Sequence, residues 1–216
     1  MTSRALATAV ALLCAAAPPR AHQIDEYLQA ARLSLTHDRV TLELDLTPGI
    51  AVAASVVPTL DIDDSGAISP GEARAYGESV LSEVAVALDG HPLAVTLERV
   101  EVPTSEEIRD GIGTIRLRAT APVAISGPGR RRLDFRNNHR PDIGAYLANA
   151  LKPDERAIHV ERQTRDPRQR VIQIDYRVDP GPMLRAAWLL VGLAVLAVLV
   201  GRGRFRPPAQ APHPAP

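Results

Sequence analysis

Apolar and polar residues alternate with a period of two over most of the middle of the chain, the repeat that puts one face of a strand in a core and the other in water. Leu33 and Leu35, then Val40, Leu42, Leu44 and Leu46, flank a His37-Asp38-Arg39 turn and predict a first hairpin. Asp89-Gly90, set between Val84–Leu88 and Leu93–Leu97, predicts a second. Further strands follow at Ile115, Leu117 and Ala119, at Leu133 and Phe135, at Ile158 and Val160, and at Ile172, Ile174, Tyr176 and Val178. About seven short strands joined by turn-rich segments predict a mainly β domain, an antiparallel, Ig-like sandwich.

The period changes between the second and third of these strands. Ala73, Tyr76, Val80, Leu81, Val84 and Leu88 recur at helical spacing with Arg74, Glu78 and Glu83 between them, which predicts an amphipathic helix from Pro70 into the mid-eighties. Upstream, Ala51 to Leu60 is apolar, but Val56 and Val57 are β-branched and Pro58 stands three residues before Asp61, which argues against a regular helix there. Ile143 to Leu151 predicts one or two helical turns before Lys152-Pro153.

Between these two segments lies the most specific chemistry in the chain, Asp61-Ile62-Asp63-Asp64-Ser65-Gly66-Ala67-Ile68-Ser69-Pro70-Gly71-Glu72. These twelve residues read as the calcium loop of an EF-hand. Ca²⁺ takes about six to eight oxygens, and such a loop supplies them from positions 1, 3, 5, 7, 9 and 12. Those positions hold Asp61, Asp63, Ser65, the carbonyl of Ala67, Ser69 and Glu72, with Gly66 at the sharp turn and Glu72 long enough to bind through both oxygens. Ser65 in place of Asp or Asn removes one formal charge, which lowers affinity without abolishing the site. The same residues also read as a turn followed by the capping box Ser69-Pro70-Gly71-Glu72 of a helix; that alternative leaves Asp61 and Asp63 unexplained. With no second loop to pair with, an extracytoplasmic site of this kind binds on the order of 10⁻⁴–10⁻³ M and stabilises structure in preference to sensing signals.

The two ends of the chain set its expected location. Arg4 followed by an apolar run from Ala5 to Ala17, with small residues before a cut after Ala17 or Ala21, predicts a signal peptide over residues 1–21. The single cysteine, Cys14, falls inside it, so the mature chain carries no disulfide and no thiolate metal site. Ala186 to Gly201 is uncharged and is followed by Arg202, Arg204 and Arg206. At about 24 Å against a hydrocarbon core of about 30 Å the run is short, but Leu184 and a snorkelling Arg185 extend it, so residues 184–201 predict one transmembrane helix with Trp188 at an interface. The arginines mark the inner side, leaving residues 22–182 outside the cytoplasmic membrane and a Pro/Arg-rich tail, 202–216, inside. A buried or surface helix is the alternative.

The formal net charge of zero hides an asymmetry, because all 25 acidic but only 19 of the 25 basic residues lie between His22 and Pro182, a surplus of six negative charges. An acidic exterior domain excludes nucleic acid as a partner and suits cations. Enzyme chemistry has no foothold: there is no Gly-x-Ser-x-Gly elbow, phosphate loop or His-Glu-x-x-His, and cysteine catalysis is excluded. The densest polar cluster, Asp134 to Asp142, reads as a loop after a strand, with a hydrolytic site as its third-ranked alternative. Arg130-Arg131-Arg132 reads as a solvated strand start. Cleavage after Ala21 would make His22 the mature N-terminus, whose amine and imidazole chelate Cu²⁺ or Ni²⁺. His37, His91, His139 and His159 read as surface or loop residues.

A signal ending at Ala21-His22, an early strand pair, an EF-like loop with its following helix, and Leu88-Asp89-Gly90-His91-Pro92-Leu93 opening further strands together resemble the extracytoplasmic N-terminal region of nickel/cobalt transporters of the NicO type, over roughly residues 22–180. Those transporters continue into a multi-helix permease, whereas one span cannot enclose a transport path. The resemblance therefore implies an accessory role beside a separate metal permease. The expectation is a non-enzymatic, membrane-anchored calcium-binding module, with a transition-metal (Ni/Co/Cu) accessory built on His22 as the alternative.

Overall fold

A computed structural model of the chain describes residues 25–180 and 192–196. The predicted signal 1–21, His22, the tail 202–216 and most of the predicted span lie outside them; residues 192–196 are helical. Among the described residues no helix is long and apolar enough to cross a membrane.

The molecule is mainly β, and the ten strands among the described residues form two five-stranded sheets compatible with a β-sandwich. The first has the order β5 (Thr96–Glu101), β6 (Ile115–Pro122), β2 (Arg39–Pro48), β1 (Tyr27–Leu35), β8 (Gly144–Ala150). The second has the order β4 (His91–Pro92), β3 (Val84–Leu88), β7 (Gly129–Asn137), β10 (Val171–Val178), β9 (Ile158–Arg165). The period-two pattern translates directly into burial: Leu33, Leu35, Leu42, Leu44 and Leu46 of the first sheet and Leu133, Phe135, Ile172, Ile174 and Tyr176 of the second share one core. Burying each such side chain contributes about 1.5–3 kcal/mol. The first hairpin forms as predicted, with Leu35 opposite Val40.

Three connections differ from expectation. The predicted 84–88/93–97 hairpin closes only through Leu88 opposite His91 and Ala87 opposite Pro92; past Leu93, whose amide donates to the Val86 carbonyl, the chain crosses to the other sheet and pairs with β6. The predicted helical turns at 143–151 are instead strand β8, which lies parallel to β1, so the sandwich is not wholly antiparallel. Tyr146 and Ala148 face inward and Leu147 outward, a period of two masked by small residues. A five-residue helix, Ser105–Arg109, absent from the expected elements, joins β5 to β6, its start fixed by a capping box of Thr104 and Glu107.

Between β2 and β3, as expected, lies a helical insertion, and here the largest correction falls. α1 (Ile50–Leu60) is a regular helix despite Pro58. Val52, Ala53, Val56, Val57 and Leu60 are buried on one face, and that burial outweighs the bond Pro58 cannot donate. The Ser55 and Thr59 hydroxyls donate to the carbonyls of Val52 (2.8 Å) and Val56 (2.6 Å), which satisfies backbone groups near the interruption. α2 (Pro70–Ser82) starts where the capping box predicted but stops at Ser82, so that Val84 and Leu88 belong to β3; the 105–109 helix is α3. The insertion joins β2 and β3 at the end of the sheets marked by Tyr27 and Asn137, whereas β10 leaves at the opposite end beside Gly129 and Ile158.

Candidate metal centre

α1 and α2 complete a helix-loop-helix frame around residues 61–72. Asp61 caps the end of α1, its amide bonded to the Val57 carbonyl at 3.0 Å, and is only 4 % exposed, next to the fully buried Leu60. The loop then turns on two left-handed residues, Asp64 (φ 54°) and Gly66 (φ 83°). Glycine carries no steric penalty there, and Asp is among the few other residues that adopt this region. Ile68 packs against the core and fixes the loop's return to α2.

This backbone path brings the predicted ligands together. One carboxylate oxygen from each of Asp61, Asp63 and Glu72 lies within 4.8 Å of the others. Calcium–oxygen distances are about 2.3–2.6 Å, so one ion can touch all three. The Ser65 hydroxyl donates to the Ala67 carbonyl at 3.0 Å, a spacing at which both oxygens can also share one ion. Amides of the turn aim at the carboxylates: Ser65 N donates to Asp61 Oδ1 (2.9 Å) and Asp63 Oδ1 (3.1 Å), and Gly66 N to Asp61 Oδ2 (2.9 Å). Glu72 spans the loop. Its Oε1 accepts from Ile62 N at 2.7 Å, and its Oε2 accepts from Ser69 N at 2.9 Å and the Ser69 hydroxyl at 2.7 Å. The Ser69 amide, then the Ser69 hydroxyl, then the Ile62 amide pull the Glu72 carboxyl down to about 2, so it is an anion throughout the neutral range.

Ser69 is engaged in the capping box, accepting from Glu72 N at 3.3 Å; a ligand at this position commonly acts through water. Asp64 joins no metal-ligating group among the described residues. No basic side chain within the described residues forms a salt bridge with Asp61, Asp63, Asp64 or Glu72, and Arg74, the nearest in sequence, pairs with Glu78 at 2.9 Å. Among the described residues the trio's charge thus meets hydrogen bonds but no basic side chain, an arrangement that could hold a metal ion.

A second polar group, not foreseen, sits beneath α2. His139, expected at the surface, is 6 % exposed. Its Nδ1 lies 3.0 Å from Glu83 Oε2 and its Nε2 3.4 Å from the Tyr76 hydroxyl, which in turn bonds the Tyr27 hydroxyl. Gln29 and Asn137 hold the backbone around it: Gln29 Nε2 donates to the His139 carbonyl (2.9 Å), Asn137 Nδ2 to Gln29 Oε1 (2.8 Å), and His139 N to Asn137 Oδ1 (2.9 Å). The Tyr146 hydroxyl donates to the same carbonyl at 2.7 Å. Burial, the largest cause, pushes Tyr27 well above the ordinary phenol value and Tyr76 up to about 12, so both keep their protons.

The remaining candidates stay apart. His37 pairs with Glu155, His159 Nε2 lies 3.1 Å from Asp179, and His91 is exposed on β4, so the histidines make no common site within the described residues. Arg130, Arg131 and Arg132 lie in β7 and face Glu161, Asp89 and Asp175 respectively; the open groove they line is charge-balanced. No protein-family model and no curated protein matches the chain.

Proposed function

We propose that the chain is a calcium-binding module of EF-hand type, carried on an Ig-like β-sandwich and held at the outer face of the cytoplasmic membrane by residues 184–201. The observation that carries this reading is the convergence of Asp61, Asp63 and Glu72 oxygens within 4.8 Å at the loop between two helices. Ser65, the Ala67 carbonyl and Ser69 supply the remaining oxygens. Calcium suits this set because the donors are all hard oxygens, with no imidazole or thiolate to favour a transition metal. The ion's role is structural: it ties the end of α1 to the start of α2. The module works as a binding or accessory element, with a separate membrane metal permease as the partner of choice and nucleic acid excluded by its acidic exterior.

Calcium titration of the full chain in detergent micelles, followed calorimetrically, tests the reading. One site per chain is expected. Glu72→Gln removes the charge that closes the loop and should weaken binding by at least about tenfold, the cost of roughly 1.4 kcal/mol. Asp64→Asn keeps a residue suited to φ 54° at a non-ligating position and should bind as the parent does. Equal losses from the two substitutions would mean generic acidity and would overturn the loop assignment.

A further inference from the structure

Two side chains on one face of α2, Tyr76 and the capping residue Glu83, seven positions apart, grip the two nitrogens of a single buried imidazole. Glu72 stands one turn before Tyr76 on the same helix, while Asp61 caps the end of α1. Where α2 sits relative to α1 therefore sets how far Glu72 stands from Asp61 and Asp63.

We propose that His139 is a proton-operated latch on the metal-bearing helix: neutral His139 holds α2 in the cation-binding position, and protonated His139 releases it and weakens cation binding at Asp61, Asp63 and Glu72. The inference rests on the calcium reading above.

The donor arithmetic of the cluster gives the latch its direction. Glu83 only accepts, so neutral His139 donates from Nδ1 and accepts at Nε2 from Tyr76, which accepts in turn from Tyr27. A proton on Nε2 reverses the chain: Nε2 donates to Tyr76 and Tyr76 to Tyr27, whose own hydroxyl hydrogen then has no acceptor among the described residues, a buried unsatisfied donor that loosens the grip on α2. The groups facing the ring are Glu83 from the end of α2, Tyr76 from α2, Tyr27 from β1, and Arg140 and Asp142 from the ring's own loop; Tyr146 of β8 binds the His139 carbonyl. Arg140 and Asp142 pair with each other at 3.1 Å. Glu83 favours the imidazolium, but its side chain is 43 % exposed, whereas the ring is buried, and desolvation prevails: the imidazole is held below its ordinary value of 6.5. The unfolded chain therefore takes up this proton more readily than the folded one. Stability from His139 is complete above about pH 6.5 and is lost as pH falls below it towards the depressed folded value. Linkage makes the effect reciprocal, so bound calcium should lower the imidazole's proton affinity further.

The test is calcium affinity of the full chain in micelles at pH 7.5 and 5.5, a range in which Glu72 stays ionised. Affinity of the parent should fall at least about fivefold, the lower end of ordinary coupling between sites. His139→Gln, which retains a side-chain donor and acceptor but cannot take up a proton, should fall less than about half as much in logarithmic terms. Glu83→Gln, at an exposed position, removes the group that favours the imidazolium and should move the midpoint of the loss to lower pH. The proposal is overturned by a pH-independent affinity, by a His139→Gln loss equal to the parent's, or by an unmoved midpoint in Glu83→Gln; the last arm decides if His139→Gln does not fold. No calcium binding at either pH overturns both the calcium reading and the coupling. Normal binding with no dependence on His139 leaves the calcium reading standing and overturns the latch alone.

Discussion

The proposed calcium loop and the His139 cluster are both constellations of polar groups, but they are assembled by opposite means. Every proposed ligand of the loop falls within twelve consecutive residues, and its hydrogen bonds run from Ser65, Gly66 and Ile62 to Asp61, Asp63 and Glu72. The cluster draws Tyr27 and Gln29 from β1, Tyr76 and Glu83 from α2 and its cap, Asn137 from β7, and Tyr146 from β8, across sequence separations of up to 110 residues. The loop's carboxylates run from buried Asp61 to exposed Asp63 and meet no basic partner among the described residues, whereas the cluster is buried and satisfies its groups internally. The first is therefore expected to respond to ligand and the second to packing.

Perturbations that attack the footing of each site should separate them. Leu60→Ala has the largest expected effect: Leu60 is fully buried immediately before Asp61, and its truncation should cost about 3 kcal/mol of stability and weaken calcium binding, read by denaturant melts with and without the ion. Gly144→Ala comes next. A Cβ there would stand 2.8 Å from the Arg140 carbonyl oxygen and 2.5 Å from the Tyr146 hydroxyl, so the strand start must shift and the bond to the His139 carbonyl must give. A loss of about 2 kcal/mol is expected, with one-site calcium binding retained at pH 7.5 but weakened, because His139 positions α2. Loss of calcium binding together with the cluster in Gly144→Ala would mean that the two regions are one unit at neutral pH. The smallest effect expected is that of Asp64→Asn, which should leave both stability and affinity near the parent's.

The same contrast explains what could be read from sequence. The Gly66 turn and the Ser69–Glu72 capping box are local patterns that the chain adopts as written, and the spacing of Asp61, Asp63 and Glu72 brings their carboxylates together. α1 carried a helical burial pattern at Val52, Ala53, Val56, Val57 and Leu60, but Pro58 outweighed it in a reading based on local propensity; tertiary burial reverses that balance. Strand β8 was hidden because Ala145, Ala148 and Ala150 blur a period of two. His139 had no local signal at all, since neither its burial nor its partners Glu83 and Tyr76 follow from neighbours in sequence.

The central claim, that the loop holds calcium and that the ion stabilises the folded chain, is tested most directly by the melting temperature of the full chain against Ca²⁺ and Mg²⁺ at equal concentration. At ten times the dissociation constant calcium should add about 1.4 kcal/mol, or roughly 4 °C for a domain of this size. Magnesium, which demands near-octahedral geometry at about 2.0–2.1 Å and gives up water reluctantly, should add much less. Unchanged melting at millimolar calcium, or equal shifts from the two ions, would contradict the account.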